Sequence, residues 1–352
     1  MPRDARRFDP ELLDAAFATI EEGVRSGDLP SGVLAIATGD RTLRLEAFGP
    51  VKTDSIFLLA SITKPIFATA LMRLVERGRM RLNDPVAAVI PEFGANGKGD
   101  VRLWHLLTHT SGLDETPGFA LWGQADRAGL TAAAIQAPLR FRPGSQYAYC
   151  NGSFFVMAEL IRRLGGRDDV AYLRDEVLEP LGMRDTSYRP AASPRLAPVH
   201  GSPWANDPHF EYLRSLCWGA AGLSSTAEDL IRFGQAFLAG GVLDGKRVLA
   251  PATVRAMTSL QTDGLLETRA AGDGPPYYGL GFGKAGPDNA TGPSTELRTP
   301  AGFGHGGATG TLLWVEPELD LVFAFLTNKW GLDAPYAGRA LNAAVGAAST
   351  AV

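Results

Sequence analysis

The chain has 352 residues, of which 45% are hydrophobic and 20% charged, as is usual for a globular protein with a sizeable core. Its formal net charge of -4 gives no electrostatic reason to expect nucleic acid or an anionic membrane as a partner. Met1–Glu11 lacks the apolar run of a signal peptide, and no stretch approaches the ~20 apolar residues of a membrane span. We therefore expect a soluble, cytoplasmic protein.

The N-terminal segment predicts a helix followed by a β-hairpin. Asp9 can cap the helix, and Pro10 suits its first position. Strands are predicted at Gly32–Thr38 and Arg41–Phe48, since both runs are apolar or alternating. The short Gly39-Asp40 link between them is typical of a hairpin turn.

Helical patterns dominate the middle of the chain. A helix is predicted to begin near Ser61 and to end at Gly78, because apolar residues recur between them at helical spacing. From about Arg79 to Arg214 helical patterns alternate with Pro/Gly loops, and Phe154–Leu164 is the clearest helix. Another is predicted at Ala227–Leu238 with Ser225 or Thr226 as its cap.

The C-terminal part returns to strands. Gly310–Val315 and Leu319–Thr327 are apolar and are separated by the turn Glu316-Pro317-Glu318. A terminal helix is predicted at Asp333–Ala347, and Ala271–Pro300 is expected to be a long loop around one short strand.

Strands at both ends with helices between them imply a sheet that distant parts of the chain complete. We predict an α/β fold with an antiparallel sheet, flanked by the N- and C-terminal helices, and an inserted helical domain. The expected division is 1–78 and 215–352 for the α/β part, with 79–214 as the mainly helical insertion.

The strongest chemical signal is Ser61-Ile62-Thr63-Lys64 at a predicted helix start. One helical turn brings Lys64 beside Ser61, and a partly desolvated lysine can take the proton of a serine hydroxyl. The helix N-terminus also favours negative charge on the serine oxygen. The alternative is an ordinary helix start, with Ser61 as its cap and Lys64 in solvent.

A second motif, Tyr149-Cys150-Asn151, precedes the Phe154–Leu164 helix. A phenol has an unperturbed pKa of ~10, so it needs a neighbouring cation to act as a base near neutrality, and Lys64 could supply it. Asn151 could fix the lysine or hold a substrate carbonyl. Alternatively Asn151 caps the helix and Tyr149 only packs, or Asn151 does both.

The third motif is His305-Gly306-Gly307. Two glycines let a strand backbone approach a ligand closely, and the N–H of the next residue, Ala308, could complete an oxyanion hole with Ser61. The alternative is a glycine-rich strand edge or bulge beside a hydrogen-bonded histidine.

Other candidate groups carry less weight. His105 and His109 are four apart on a predicted helix, but no third metal ligand is evident, so we interpret them as core or helix-end residues. Cys150 and Cys217 do not form a dense disulfide framework, although one disulfide remains possible. Five aromatic residues are candidates for a pocket, although each taken singly is more typical of a core: Trp122, Trp218, Tyr278, Phe282 and Trp330.

The order of these motifs resembles the penicillin-recognising serine hydrolases. Within them the chain is similar to the branch that contains class C β-lactamases, D-alanyl-D-alanine carboxypeptidases, D-amino-acid-specific peptidases and family VIII carboxylesterases. Four segments, the first of which contains Ser61–Lys64, resemble that family in its order: Ser55–Lys64, Leu106–Leu113, Pro180–Thr186 and Gly219–Phe233. Several independent motifs together are far more specific than any one alone.

The resemblance implies Ser61 as the nucleophile, Lys64 and Tyr149 as the proton-transfer pair, and Asn151 as a positioning residue. It also implies the N–H groups of Ser61 and Ala308 as oxyanion donors, with no metal or organic cofactor. The β-lactamases carry Lys-Thr-Gly where this chain has His305-Gly306-Gly307. A neutral histidine there favours a neutral ester or amide over a carboxylate-bearing β-lactam.

We therefore expect a carboxylesterase that cleaves small or medium esters through an acyl-enzyme. Its partner would be a small-molecule ester or amide, without nucleic acid or membrane, and the oligomeric state stays open. One alternative is a β-lactamase, a D-amino-acid peptidase or an amidase of the same family. Another is an inactive binding homologue that has kept the fold.

Overall fold

The computed structural model describes residues 8–201, 209–265, 276–286, 297–331 and 335–349. The strands of these ranges are β1 (Gly32–Ala37), β2 (Thr42–Phe48), β3 (Phe57–Leu58), β4 (Ser224–Ser225), β5 (Val242–Leu243), β6 (Lys246–Arg247), β7 (Gly283–Lys284), β8 (Phe303–Gly306), β9 (Leu312–Glu316) and β10 (Leu321–Thr327). The α-helices are α1 (Pro10–Arg25), α2 (Thr63–Glu76), α3 (Leu103–Leu107), α4 (Thr116–Phe119), α5 (Arg127–Gln136), α6 (Ser153–Gly165), α7 (Asp169–Leu173), α8 (Glu179–Leu181), α9 (His209–Leu216), α10 (Ala227–Leu238), α11 (Pro251–Thr258) and α12 (Pro335–Ser349).

A six-stranded antiparallel sheet forms the centre of the molecule, in the order β2-β1-β10-β9-β8-β7. Its middle joins the two ends of the chain, because Gly32 of β1 lies opposite Thr327 of β10. This confirms the prediction of a sheet completed by distant segments. The predicted fold class is confirmed with it.

Helices cover both faces of the sheet, which explains why all seven residues of β10 are buried. On one face α1 packs with α12, and Phe17 and Leu341 join Phe323 in one apolar cluster. On the other face α10 lies very close to the sheet. A Cβ at Gly234 of α10 would be only 2.4 Å from the Cγ1 of Val322, so this position requires glycine.

The predicted helix caps are confirmed. Asp9 Oδ1 accepts hydrogen bonds from the N–H groups of Glu11 (2.9 Å) and Leu12 (3.1 Å) at the start of α1. At α10 the cap is Thr226, whose Oγ1 accepts the Asp229 N–H at 3.2 Å. Each side chain satisfies N–H groups that a helix start leaves without intrahelical partners.

Two predicted boundaries in the C-terminal strands are wrong by about two residues. Gly310 does not start β9, because it has φ 79° and lies in a tight turn in which its N–H donates to the Gly307 carbonyl at 2.9 Å. Asp320, with φ 52°, ends a 3₁₀ turn before β10 begins. Asp333, the predicted start of the last helix, lies outside the described residues, as does half of the predicted loop 271–300.

The segment from residue 79 to the end of α9 is mainly helical in its described parts, and the boundaries at 78/79 and 214/215 stay a prediction. One expectation within it is wrong. His105 and His109 do not share a helix, because α3 ends at Leu107 and His109 has φ 58°. Among the described residues, none of the helices combines the length and apolar character needed to cross a membrane.

Candidate active site

Ser61 and Lys64 lie at the junction of a 3₁₀ turn, Ala60–Ile62, with α2. Lys64 is fully buried, and its ammonium group donates three hydrogen bonds. The acceptors are Ser61 Oγ at 3.1 Å, Asn151 Oδ1 at 2.9 Å and the Ala220 carbonyl at 2.9 Å. The predicted contact between Ser61 and Lys64 is therefore present. The alternative, in which Lys64 lies in solvent, is wrong, because the side chain is fully buried.

Burial lowers the pKa of Lys64 from its ordinary 10.5 to about 7, because a charged amine loses its hydration there. The negative charge of Glu115 opposes that change. Near neutral pH a large fraction of the lysine is therefore neutral, and a neutral amine can accept the Ser61 proton. The lowered pKa of Lys64 is consistent with the expectation that this lysine accepts the Ser61 proton.

The backbone next to Ser61 is hydrogen-bonded to the residue before β4. Leu59 donates its N–H to the Leu223 carbonyl at 2.8 Å, and the Leu223 N–H donates back to Thr63 Oγ1 at 3.1 Å. Ala60 between them has φ 47°, a left-handed conformation that costs a non-glycine residue free energy. These bonds fix Ser61 next to the first turn of α2.

Tyr149 lies over Lys64, with the lysine Nζ 4.7 Å from the centre of the phenol ring. A second neighbour of the phenol is His109, whose ring centre lies 4.3 Å from that of Tyr149 with 31° between the ring planes. His109 also accepts the Cys150 N–H on Nδ1 at 3.0 Å, and its carbonyl accepts the Ala148 N–H at 2.9 Å. His109 thus positions Tyr149 from both flanking peptides, a role that the interpretation as a core or helix-end histidine missed.

Asn151 uses its side chain for Lys64 rather than for a helix cap. The N-cap position of α6 is Gly152, which has no side chain, and Asn151 Oδ1 accepts the lysine proton at 2.9 Å. The Gly152 N–H donates instead to Glu115 Oε2 at 2.8 Å. Glu115 is the second residue near the site that the sequence did not single out.

His305 is buried, and both of its ring nitrogens have protein partners. Nδ1 lies 2.7 Å from the Gly306 carbonyl and must donate to it, so Nε2 accepts from the Tyr278 hydroxyl at 3.2 Å. Burial lowers the pKa of His305 to about 3, and the positive charge of Lys64 acts in the same direction. The imidazole is therefore neutral at pH 7.

The segment after His305 packs against the residues before Ser61. A Cβ at Gly307 would lie 2.2 Å from the Leu59 carbonyl oxygen, so this glycine permits close approach to protein backbone. Thr309 Oγ1 donates to the Leu58 carbonyl at 2.7 Å, and Thr311 Oγ1 to that of Leu59 at 3.1 Å. Ala308 lies in this loop beside Gly307, and its N–H as an oxyanion donor stays a prediction.

A small apolar pocket lies beside the Cys150–Gly152 segment, with a cavity volume of about 30 Å³. Cys150 and Gly152 flank Asn151 and line one wall. The aromatic side chains that line it are Phe119, Trp122, Phe155 and Trp218. Trp218 stacks on Phe155 at 5.2 Å and lies 5.1 Å from Trp122, so two of the candidate pocket aromatics meet here.

The remaining candidates lie elsewhere. Phe282 packs in the core against Phe237 and Phe303, and Trp330 donates its backbone N–H to the His200 carbonyl. Both cysteines are buried and free, and burial raises the pKa of Cys150 to about 12, so its thiol is not a nucleophile near pH 7. Within the described ranges, no group of three or more His, Cys, Asp or Glu residues is arranged to hold a metal ion.

Comparison with known proteins identifies the family. The β-lactamase family model matches residues 16–348. Esterase EstB of Burkholderia gladioli is 31% identical, covering 90% of this chain and 89% of its own, and penicillin-binding protein 4 of Amycolatopsis lactamdurans is 31% identical, covering 92% and 83%.

Solved structures agree on the fold. The hydrolase EstCE1, described as having promiscuous acyltransferase activity, superposes with a TM-score of 0.80 at 21% identity, covering 96% of this chain and 99% of its own. A penicillin-binding protein homologue from Caulobacter crescentus superposes with a TM-score of 0.76 at 25% identity, covering 97% and 98%. The chain therefore belongs to the β-lactamase family and is a serine hydrolase of the β-lactamase and penicillin-binding-protein type.

Proposed function

We propose that the protein is a carboxylesterase that cleaves small or medium esters through an acyl-enzyme on Ser61. The observation that carries the acyl-transfer chemistry is the contact of the buried Lys64 Nζ with Ser61 Oγ at 3.1 Å. Lys64 has the pKa of a base that works near neutrality, and Tyr149 lies against it.

In the first step Ser61 Oγ attacks the ester carbonyl carbon while its proton passes to the Lys64–Tyr149 pair. The N–H groups of Ser61 and Ala308 stabilise the oxyanion. The C–O bond to the alcohol then breaks, and the alcohol leaves with the proton from the pair. In the second step water attacks the acyl-enzyme, loses its proton to the same pair, and the acid is released as Ser61 regains a proton.

Two features support an apolar, uncharged substrate. His305 is neutral where the β-lactamases carry a lysine, so it offers no full positive charge to a substrate carboxylate. The pocket beside Asn151 is lined mainly by apolar side chains, which suit a hydrocarbon acyl group. The esterase EstB among the relatives agrees with this choice.

The second candidate is an amidase, a D-amino-acid peptidase or a weak β-lactamase. The penicillin-binding protein among the relatives favours it, because the same acyl-enzyme chemistry opens amides. An inactive binding homologue is a third. The intact contacts of Lys64 with Ser61 and Asn151 argue against inactivity, because a buried lysine costs stability that a mere scaffold does not need.

A hydrolysis panel tests the proposal: p-nitrophenyl esters of increasing acyl length, a chromogenic cephalosporin and D-amino-acid anilides. We expect the highest kcat/KM on the esters. Rapid cephalosporin or anilide turnover with negligible ester turnover would replace the esterase by the second candidate.

The pocket predicts an acyl-length effect of Trp122. Replacing Trp122 with alanine removes apolar contact area, worth roughly 25 cal/mol per Å². We expect kcat/KM for octanoyl relative to acetyl esters to fall about tenfold, since a long acyl chain has more apolar surface to bury against the tryptophan than an acetyl group has. Trp104→Ala is the matched control, because Trp104 is partly buried but donates its indole N–H to Gln261 at 3.0 Å outside the pocket. An unchanged ratio in Trp122→Ala would exclude this pocket as the acyl site.

His305→Lys tests the role of charge at the third motif. A cation there should raise kcat/KM for cephalosporins relative to neutral esters by about one to two decades, the value of a charged hydrogen bond. Burial and the nearby Lys64 would lower the pKa of the new lysine, so the gain should be larger at pH 6 than at pH 8. If both substrate classes lose activity equally at both pH values, His305 acts only by supporting Gly306 and Tyr278.

A further inference from the structure

The start of α6 has an unusual cap. Helix α6 has thirteen residues and no side-chain cap on its N-cap residue, and the Asn151 side chain accepts from Lys64. The N–H groups of Phe154 and Phe155 donate to the carbonyls of Asn151 and Gly152, each at 3.1 Å. Glu115, thirty-seven residues before Gly152 in the chain, accepts the Gly152 N–H on its Oε2 at 2.8 Å. The Asn151 N–H and the Cys150 thiol also favour the charged form of this carboxylate and act to lower its pKa.

The carboxylate of Glu115 is subject to opposing influences. Burial raises its pKa overall, while the N–H groups of Gly152 and Asn151 and the positive charge of Lys64 favour its charged form. Successive backbone N–H groups at a helix N-terminus form a favourable site for an anion. The fit is close, since a Cβ at Gly152 would lie 3.3 Å from the Cβ of Glu115.

We propose that Glu115 is a positioning residue of the acyl-transfer site, which caps α6 in place of Asn151 and balances the charge of the Lys64 ammonium group. The inference rests on the roles proposed above for Ser61 and Lys64. An asparagine just before a helix ordinarily turns its side chain onto the helix N–H groups. Here Glu115 accepts the Gly152 N–H, and the Asn151 side chain binds Lys64 instead.

Loss of the Glu115 charge has a defined effect on Lys64. The groups that act on the Lys64 amine are Glu115, Cys150, and the rings of Tyr149 and Phe154, with neutral His305 nearby. Cys150 is a neutral thiol below pH 10, so Glu115 supplies the negative charge. Glu115 raises the pKa of Lys64, and its neutralisation therefore lowers that pKa. Acylation that needs neutral Lys64 would then extend to lower pH.

The test is the rate of fluorophosphonate labelling of Ser61 in the full-length protein between pH 5 and pH 9. For the wild type we expect the rate to rise through an acid limb near pH 7, the pKa of Lys64. For Glu115→Gln we expect that limb to move down by about half a pH unit or more. We also expect the maximal rate to fall about tenfold, because the amide holds the α6 N–H groups less strongly.

Glu159→Gln is the matched control. Glu159 lies on α6, where it pairs with Arg162 and Arg163, so the variant removes one carboxylate charge without removing a contact of Gly152 or Lys64. Its acid limb and maximal rate should equal those of the wild type. Should Glu115→Gln fail to fold, Glu115→Asp keeps the charge but shortens the reach, and we expect a lower rate with a limb close to that of the wild type.

The outcomes separate the two proposals. A wild-type protein that fluorophosphonate does not label at Ser61 contradicts the proposed function itself. A labelled wild type with an unchanged limb and rate in Glu115→Gln overturns the role of Glu115. A folded Glu115→Asp with the full wild-type rate overturns the capping part of that role.

Discussion

Replacing Ser61 with alanine is expected to abolish fluorophosphonate labelling and to lower kcat by at least about four orders of magnitude. The hydroxyl is the only part of the site proposed to form a covalent bond to the acyl group, and neither the oxyanion donors nor Lys64 can replace it. Peptide mass spectrometry of the labelled protein and turnover of the best ester of the panel provide the measurements.

The control for this variant is Ser259→Ala. Ser259 follows α11 and donates its hydroxyl to the Arg255 carbonyl at 2.6 Å on the surface, so its loss should leave labelling and kcat unchanged. An adduct found on a serine other than Ser61 would refute the mechanism. So would a Ser61→Ala protein that retains ester turnover above a few per cent.

The parts of the fold that the sequence predicted depend on local periodicity. Both outer helices, the β1–β2 hairpin and the last two strands follow from apolar spacing and turn residues, so they needed no knowledge of distant contacts. The Ser61–Lys64 contact was also predictable from local sequence, because residues three positions apart on a helix are neighbours in any fold. The motif order then identified the family.

The parts that the sequence missed depend on contacts between distant segments. Lys64 is fully buried because Ala220, 156 residues away, and Asn151 supply acceptors for its ammonium group. Whether Asn151 caps α6 or holds Lys64 was open; in the structure Asn151 Oδ1 accepts from Lys64, and Glu115 from another loop accepts the Gly152 N–H. No spacing rule connects these positions.

His109 is a second residue whose role local spacing did not predict. Its four-residue distance from His105 suggested a helix face, but the chain leaves the helix at Leu107 and His109 adopts a positive φ. That conformation is what lets the ring accept the Cys150 N–H and stack on Tyr149. The one available signal was its place inside the family segment Leu106–Leu113, which the interpretation as a core histidine did not use.

Lys64→Met and Tyr149→Phe are expected each to lower kcat about a thousandfold or more, and together to cost little more than the worse of the two. The lysine Nζ lies 4.7 Å from the Tyr149 ring centre, and we expect the two groups to act as one proton-transfer unit. Once one residue of the pair is replaced, the other can no longer pass the proton on, so replacing it as well lowers kcat little further.

The measurement is a double-mutant cycle on kcat with one neutral ester, with thermal unfolding of each variant to confirm that it is folded. Tyr172→Phe serves as the matched control, because the Tyr172 hydroxyl contacts Arg77 at 3.2 Å away from the site, and it should keep the wild-type kcat. If the losses of Lys64→Met and Tyr149→Phe multiply in the double variant, the two residues act independently. If Tyr149→Phe alone stays fully active, the proton moves between Ser61 and Lys64 without the phenol, and the acid limb set by Lys64 should then be unchanged in that variant.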